Sequence, residues 1–369
     1  MYIWKQSDWP HFRWDDARLL EPLSAARLEQ GRLLGSMARL GFELKLEAQL
    51  DALTEEAIKS SEIEGEVFDR GSVRSSLARH LGLPDAAVAP ADRRTDGVVE
   101  MMLDATQKYS EPLTQARLFG WQAALFPTGY SGLQRVKAGA WRDDADGPMQ
   151  VVSGPVGRQR VHYEAPPAQR VAVEMQRFVE WFNSDARIEG LLRAGLAHLW
   201  FVTIHPFEDG NGRVARAIAD QALAHSEGSG QRFYSMSSQI RKERSDYYDV
   251  LERTQKGDLD VTEWLLWFLA CFSRALTGAE ALSANVMRKA DFWQRYARVA
   301  FSDRQKAVLN RYLDGFEGKL TAKKWAAIAK VSIPTAQRDI NDLVERRVLS
   351  RNTGGSKNTS YEVAIGRLS

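Results

Sequence analysis

His205-Pro206-Phe207-Glu208-Asp209-Gly210-Asn211-Gly212-Arg213-Val214-Ala215-Arg216 is the stretch on which the reading of this 369-residue chain turns. Pro206 cannot continue a helix and biases His205 toward an extended conformation, so the helical pattern arriving over Leu191–Ile204 should stop there. Gly210-Asn211-Gly212 forms a tight turn of residues that tolerate positive φ. Beyond it, Val214, Ile218 and Leu223 recur near helical spacing among alanines, so the glycine turn opens a helix. The unpaired N–H groups and dipole of a helix start make an anion site, most naturally for phosphate. Arg213 and Arg216 share a face in the first turn, where two cations oppose the dipole unless an anion relieves them. Asp209 is a hard oxygen ligand suited to Mg²⁺ bridging phosphates, and His205 is the natural general base beside it.

Two rival phosphate motifs do not fit. Gly210-x-Gly212-x-x-Ala215 matches a loose dinucleotide fingerprint, but that needs a preceding strand and an acid about 20 residues on. The preceding sequence reads helical, and Ser235 stands near the acid position. No GxxxxGK[ST] run occurs.

Taken whole, the stretch resembles the Fic family motif HPFx(D/E)GNGRxxR at every specified position. The resemblance implies a mainly α fold: a Fic helical bundle that holds ATP with Mg²⁺ and transfers AMP to a protein hydroxyl. It implies His205 as the base that deprotonates that hydroxyl and Asp209 as the Mg²⁺ ligand. Gly210, Asn211 and Gly212 would form the anion hole, Arg213 a phosphate contact, Arg216 the grip on the γ-phosphate, and Phe207 the core anchor of the loop. Upstream, Ser60-x-x-x-Glu64-Gly65 resembles the family's inhibitory motif (S/T)xxxE(G/N). There Glu64 would pair with Arg216, since one guanidinium fork cannot hold a carboxylate and a phosphate together.

The aromatic start, Trp4 to Trp14, reads as rings packed on a neighbouring helix and resembles the N-terminal segment of one branch of Fic proteins. Helical periodicity runs from about Ser24 to Ile63, broken near Gly41, with Gly65 as the residue after the helix end. A loop is expected over Leu77–Pro90, then helices over Arg93–Lys108 and Thr114–Phe126. Val151-Val152-Ser153 and Val161-His162-Tyr163-Glu164 can pair as a hairpin across a glycine turn. In the family a β-hairpin flap lies here and aligns the target by strand pairing, with Val151 and Val152 at its edge. Helices are expected over Ala168–Asn183 and Ile188–Ile204, with His198 in the core, then loop and helix over Phe233–Thr254 and an apolar helix over Asp260–Leu276. Tyr248, in a Tyr-Tyr-x-x-Leu run, resembles a residue near the family's adenine pocket, though paired tyrosines also serve core packing.

From about Ser302, three helices (Asp303–Leu313, Thr321–Ala329, Ile333–Arg346) and a hairpin tipped by Thr353-Gly354-Gly355-Ser356 resemble a winged helix-turn-helix domain. Asp303–Ser369 holds 13 Lys and Arg against 7 Asp and Glu, a net of +6 against +2 for the whole chain. That suits DNA phosphates, and it equally suits a fold reused for protein contacts or dimerisation. The expected organisation is an N-terminal segment and inhibitory helix over 1–90, a catalytic core over 91–290, and the winged-helix-like domain over 300–369. The single cysteine, Cys271, excludes an intramolecular disulfide framework. With no apolar leader or membrane-length run, a cytoplasmic protein with no membrane partner is expected. Three activities follow from the motif: an autoinhibited adenylyltransferase acting on a protein Ser, Thr or Tyr; removal of AMP by the same residues; or a nucleotide-sensing DNA regulator.

Overall fold

The computed structural model describes residues 1–83, 92–145, 147–154, 158–184, 187–313, 315, 318–352 and 359–364, with the backbone alone at 281–283 and 285. After a 3₁₀ turn at Ile3–Lys5, the chain forms α1 (Asp16–Ala38), α2 (Phe42–Ile63), α3 (Arg70–His80), α4 (Arg93–Gln107) and α5 (Gln115–Leu125). Two small hairpins follow, β1 (Tyr130–Ser131) with β2 (Gln134–Arg135) and β3 (Gln150–Ser153) with β4 (Arg160–Glu164), both antiparallel. Next come α6 (Ala168–Asn183), α7 (Gly190–Ile204), α8 (Asn211–Glu227), α9 (Met236–Lys242), α10 (Arg244–Gln255) and α11 (Thr262–Arg295). The chain closes with α12 (Asp303–Leu313), α13 (Ala322–Ala329), α14 (Ile333–Glu345) and the antiparallel pair β5 (Leu349–Arg351) and β6 (Tyr361–Val363). The protein is thus mainly α. Among the described residues, no helix is long and apolar enough to cross a membrane.

The chain divides into two compact units, residues 1–38 with 48–280 and residues 39–47 with 281–369. This differs from the three-part organisation read from the sequence. The N-terminal segment packs its rings on a neighbouring helix, as its aromatic run suggests, and belongs to the larger unit. Trp9 and Phe12 meet Trp200 edge-on, Trp9 Nε1 donates to Glu174 at 2.9 Å, and Trp4 Nε1 donates to the Glu164 carbonyl at 2.8 Å.

In the first unit, α7 and α8 form the most extensively packed helix pair. α7 is apolar on all sides and buried almost throughout, as befits a central helix. Gly195 lets α11 approach, with Leu265 and Phe268 filling the space a side chain would take and Trp264 Nε1 donating to the Gly195 carbonyl at 2.8 Å. His198 is buried here, its Nε2 at 2.8 Å from the Tyr247 hydroxyl, and burial pushes its pKa down to about 3. It is a core residue, as its sequence context suggested.

Three elements depart from expectation. α3 occupies part of the region read as loop; Asp69 caps it by accepting from Ser72 N at 2.7 Å, and Val73, Ser76, Leu77 and Ala78 are buried. Phe233–Thr254 holds two helices, which part at Glu243. α11 runs on past Leu276 to Arg295, because Gly278 costs a helix only about 1 kcal/mol relative to alanine and is flanked by helix formers. Pro84–Pro90 and the glycine tips at 155–157 and 353–358 lie outside the described residues.

The second unit packs α12, α13, α14 and the β5–β6 pair around Trp325, Val308, Leu309, Ile340, Leu343 and Phe292. Ser332 caps α14, with Pro334 in the first turn, where a missing N–H costs nothing.

Candidate active site

α7 ends at Ile204, and His205 closes it in a left-handed conformation (φ 51°, ψ 58°), its N–H donating to the Phe201 carbonyl at 3.0 Å. The extended conformation expected before Pro206 is therefore not adopted. A following proline disfavours the right-handed region, and a left-handed cap escapes that clash at some cost in strain. Arg142 holds the strained residue in place. Its Nε donates to the His205 carbonyl at 2.7 Å, its own N–H donates to the Pro206 carbonyl at 3.0 Å, and its other nitrogens reach the Pro166 carbonyl and Asp144. Nothing local in the sequence marks Arg142, which lies 63 residues before the histidine it clamps.

The His205 ring is half-buried, and Nδ1 lies 3.2 Å from the Val202 carbonyl. A carbonyl only accepts, so Nδ1 carries the proton and Nε2 keeps a free lone pair. Burial pushes the imidazole pKa down to about 4, so the ring is neutral at neutral pH.

The loop after it is built to hold its shape. Phe207 is fully buried against Trp141 (5.0 Å between rings) and Phe201 (6.2 Å), as a core anchor should be. The Asn211 side chain accepts from Phe207 N at 2.9 Å and donates to Phe207 O at 2.8 Å. Asn211 thus spends its amide on stapling the loop, which leaves only its backbone N–H for a ligand. Glu208 accepts from Lys137 N at 2.8 Å, and Gln122 reaches the Asp209 carbonyl at 3.4 Å.

Gly210 caps α8 with φ 87°, and an added Cβ would come within 3.0 Å of Phe126, so both backbone and space demand glycine. Asn211 and Gly212 already belong to the helix instead of the turn. The N–H groups of Asn211, Gly212 and Arg213 are its first, with no intrahelical partner. At Gly212 a Cβ would stand 2.1 Å from Glu64 Oε1 and 3.2 Å from Arg216 Nη1. The Glu64 carboxylate therefore lies against the helix start where the sequence placed an anion.

Arg213 in the first turn of α8 and Arg216 in the second are both buried, and both meet acids from the segment that follows α2. Arg216 Nη2 donates to Glu64 Oε1 at 2.8 Å and to the Ser60 carbonyl at 2.8 Å, and Nε donates to Ser60 Oγ at 2.9 Å. Burial lowers the Arg216 pKa, but Glu64 together with Tyr247 and Tyr248 more than reverses this, so the guanidinium stays charged. Arg213 Nη1 donates to Glu66 at 2.8 Å, its guanidinium lies 5.1 Å over the Phe126 ring, and Asp209 is 3.9 Å away. Glu66 carries no motif signal in the sequence. Each arginine keeps one buried nitrogen without a protein partner, Nε of Arg213 and Nη1 of Arg216.

These unspent donors, with the open helix N–H groups, fit a polyphosphate. Among the described residues no cluster of three or more His, Cys, Asp or Glu could hold a metal by itself. Asp209, a single carboxylate beside a phosphate cradle, matches the way Mg²⁺ is held by one or two carboxylates, substrate phosphates and water.

The hairpin expected at Val151 and Val152 is present. Val151 stands opposite Tyr163 and Val152 opposite Val161, with an irregularity between the two valines. Among the described residues β3 pairs only with β4, which leaves its outer edge without a strand partner there. The Tyr163 hydroxyl donates to the Thr203 carbonyl at 2.6 Å and so ties the hairpin to the last turn of α7. His162 contacts Ser153 and Glu252 within the hairpin support, as a strand residue would. Tyr248 is half-buried, with the Arg244 guanidinium 5.2 Å over its ring, while Tyr247 beside it is core.

Comparison with known proteins places these features in context. Residues 112–223 match the model of the Fic/DOC family, and residues 2–83 match a domain of unknown function (DUF4172). The protein adenylyltransferase Fic of Drosophila willistoni is 36% identical over 91 residues, which are 24% of this chain and 17% of that protein. The matched part thus spans far less than two thirds of that relative. A solved Fic family protein from Desulfovibrio desulfuricans G20 superposes with a TM-score of 0.57 at 20% identity, covering 95% of this chain and 96% of the other. A Fic domain containing signaling protein from Bacteroides thetaiotaomicron gives 0.51 at 20% identity, over 74% of this chain and 97% of that one. At such identity the likeness is one of fold.

Proposed function

Since the chain belongs to the Fic family, we propose that it is a protein adenylyltransferase, transferring AMP from ATP to a Ser, Thr or Tyr hydroxyl of a target protein, and that Glu64, just past the end of its own α2, restrains it. The observation that carries this reading is the start of α8. Two buried arginines with unspent donors and three open N–H groups lie beside a histidine whose Nε2 is free.

In the reaction, Nε2 of His205 accepts the proton of the target hydroxyl as its oxygen bonds to the α-phosphorus of ATP. The bond from that phosphorus to the bridging oxygen breaks, and pyrophosphate leaves. The first-turn N–H groups of α8 and the guanidinium groups of Arg213 and Arg216 hold the charge that gathers on the phosphates. Asp209 would hold Mg²⁺, which when bound neutralises phosphate charge. Arg142 keeps the strained His205 aimed, and the open edge of β3 at Val151 and Val152 supports strand pairing with the target. Tyr248 is the candidate for contact with the adenine. Glu64, lying against Gly212 and paired with Arg216, restrains the reaction by occupying the place of the γ-phosphate.

The test is protein labelling by ATP carrying a labelled α-phosphate. Glu64→Gly should label strongly, wild type weakly, and His205→Ala not at all; equal labelling by all three refutes the reading. Release of AMP from a modified protein, lost in Glu64→Gly, would assign the hydrolytic direction to the same residues. For the second unit, three helices and a strand pair with exposed Arg338 on α14 support a winged-helix reading. DNA as its partner would show as binding that weakens steeply with salt.

A further inference from the structure

We propose that Glu66 is a second determinant of nucleotide admission, acting on Arg213 as Glu64 acts on Arg216; the inference rests on the adenylyltransferase reading and extends it to a residue outside the inhibitory motif. The geometry starts with the turn that ends α2. Gly65 takes φ 86°, and the Glu66 N–H folds back to the Ser61 carbonyl at 3.0 Å. This closure places two carboxylates on either side of one glycine and aims both at the first two turns of α8. Glu64 meets Arg216 at 2.8 Å and Glu66 meets Arg213 at 2.8 Å.

The two contacts differ in kind. Glu64 lies against Gly212 and fills space that a phosphate would need. Glu66 acts through charge on the Arg213 fork. The Arg213 side chain is 2% exposed, whereas that of Glu66 is 30% exposed. Glu66 is the one carboxylate within hydrogen-bond reach of Arg213 among the described residues, since Asp209 stands 3.9 Å away. A buried cation needs a partner, and here a partly exposed acid supplies it. Any phosphate that takes Arg213 must displace Glu66 or share the fork with it, while the unspent Arg213 Nε offers the incoming anion a further donor. Glu66 therefore lowers affinity for nucleotides in proportion to the phosphate they bring to Arg213, and it should hardly affect adenosine.

The experiment measures ATP and adenosine binding by calorimetry, in protein carrying His205→Ala to stop turnover and Glu64→Gly to open the site. Adding Glu66→Gln should tighten ATP about tenfold, the scale of one charge-assisted contact, and change adenosine less than about twofold. Glu66→Asp keeps the charge but withdraws it by one methylene, and should tighten ATP by less than Glu66→Gln. This second variant provides the comparison if the glutamine form folds poorly. Unchanged ATP affinity, weaker ATP binding, or equal tightening of ATP and adenosine would each overturn the assignment. If Glu64→Gly protein failed to bind ATP at all, the adenylyltransferase reading would fall and this inference with it. ATP binding that is insensitive to Glu66 removes the inference alone.

Discussion

Replacing Glu64 by glycine should make the protein less stable and more active at once, and the two effects should be joined by ATP. The carboxylate pairs with Arg216 at 2.8 Å, with side-chain exposures of 27% for the acid and 3% for the arginine. Removing one partner of a buried pair costs about 3–5 kcal/mol. Here Ser60 still accepts from Arg216 through its hydroxyl and its carbonyl, so about 2–3 kcal/mol is the expected loss. For a unit of this size that lowers Tm by roughly 4–8 °C. Glu64 lies beyond the last residue of α2, so glycine adds no helix penalty there. The same 2–3 kcal/mol is what ATP no longer spends displacing Glu64, so AMP transfer at limiting ATP should rise about 30- to 150-fold. ATP at about 100 times its Kd contributes about 2.7 kcal/mol, enough to restore the lost Tm. Thermal denaturation with and without ATP, alongside transfer of labelled AMP, checks both arms. The double variant with His205→Ala should keep the ATP-induced Tm shift and lose transfer. A variant with unchanged Tm, no larger response to ATP and no gain in transfer would refute the competition between carboxylate and phosphate.

His205 must be neutral to accept a proton, and burial sets its pKa near 4, so kcat/KM of the Glu64→Gly form should stay level from pH 8 to about 5 and fall below that; an inflection near 6.5 would refute the assignment. A downward shift of the same kind at His198 has a stability consequence. The folded pKa of His198, about 3, lies below its ordinary 6.5, so the unfolded chain binds more protons between those values. Its contribution is complete above pH 6.5 and declines as pH falls toward 3, and His198→Gln should flatten that part of a pH series of denaturation midpoints. Asn211→Ala leaves both backbone polar groups of buried Phe207 without partners and should cost about 2–4 kcal/mol, read by urea denaturation. Arg142→Ala frees the His205 carbonyl and should lower transfer at least about 100-fold with ATP affinity kept within about threefold, because it disturbs the aim of the base and not the phosphate cradle.

The parts legible in the sequence are those governed by local chemistry. Pro206 ends α7, Gly210 starts α8, and Gly65 ends α2 in the left-handed region, each where chain sterics require. Periodic apolar residues give α4 to α7 and α12 to α14 within a residue or two. What escaped is governed by contacts across the fold. α3 is short and polar and gains its place by burying only Val73, Ser76, Leu77 and Ala78, so its periodicity is faint. Arg142 reveals itself only when its guanidinium meets the His205 carbonyl, and Glu66 only when the Gly65 turn aims it at Arg213. Asn211 shows the limit from the other side. Its position in the motif is legible, but its amide faces inward to Phe207 instead of toward an anion.

One conflict in the sequence ties these observations together. Arg213 in the first turn of α8 and Arg216 in the second stand near the positive end of the helix dipole, and both are buried away from water. Such an arrangement is unstable unless anions compensate it. Glu64 and Glu66 supply that compensation from one short segment, so the charge deficit of the site is filled by the chain itself. A polyphosphate would fill the same deficit with more oxygens and would also reach the donors that the acids leave unspent on Arg213 and Arg216. The site is therefore matched to a ligand more highly charged than its internal substitutes. Its resting stability and its affinity for nucleotide must then move in opposite directions whenever either acid is changed.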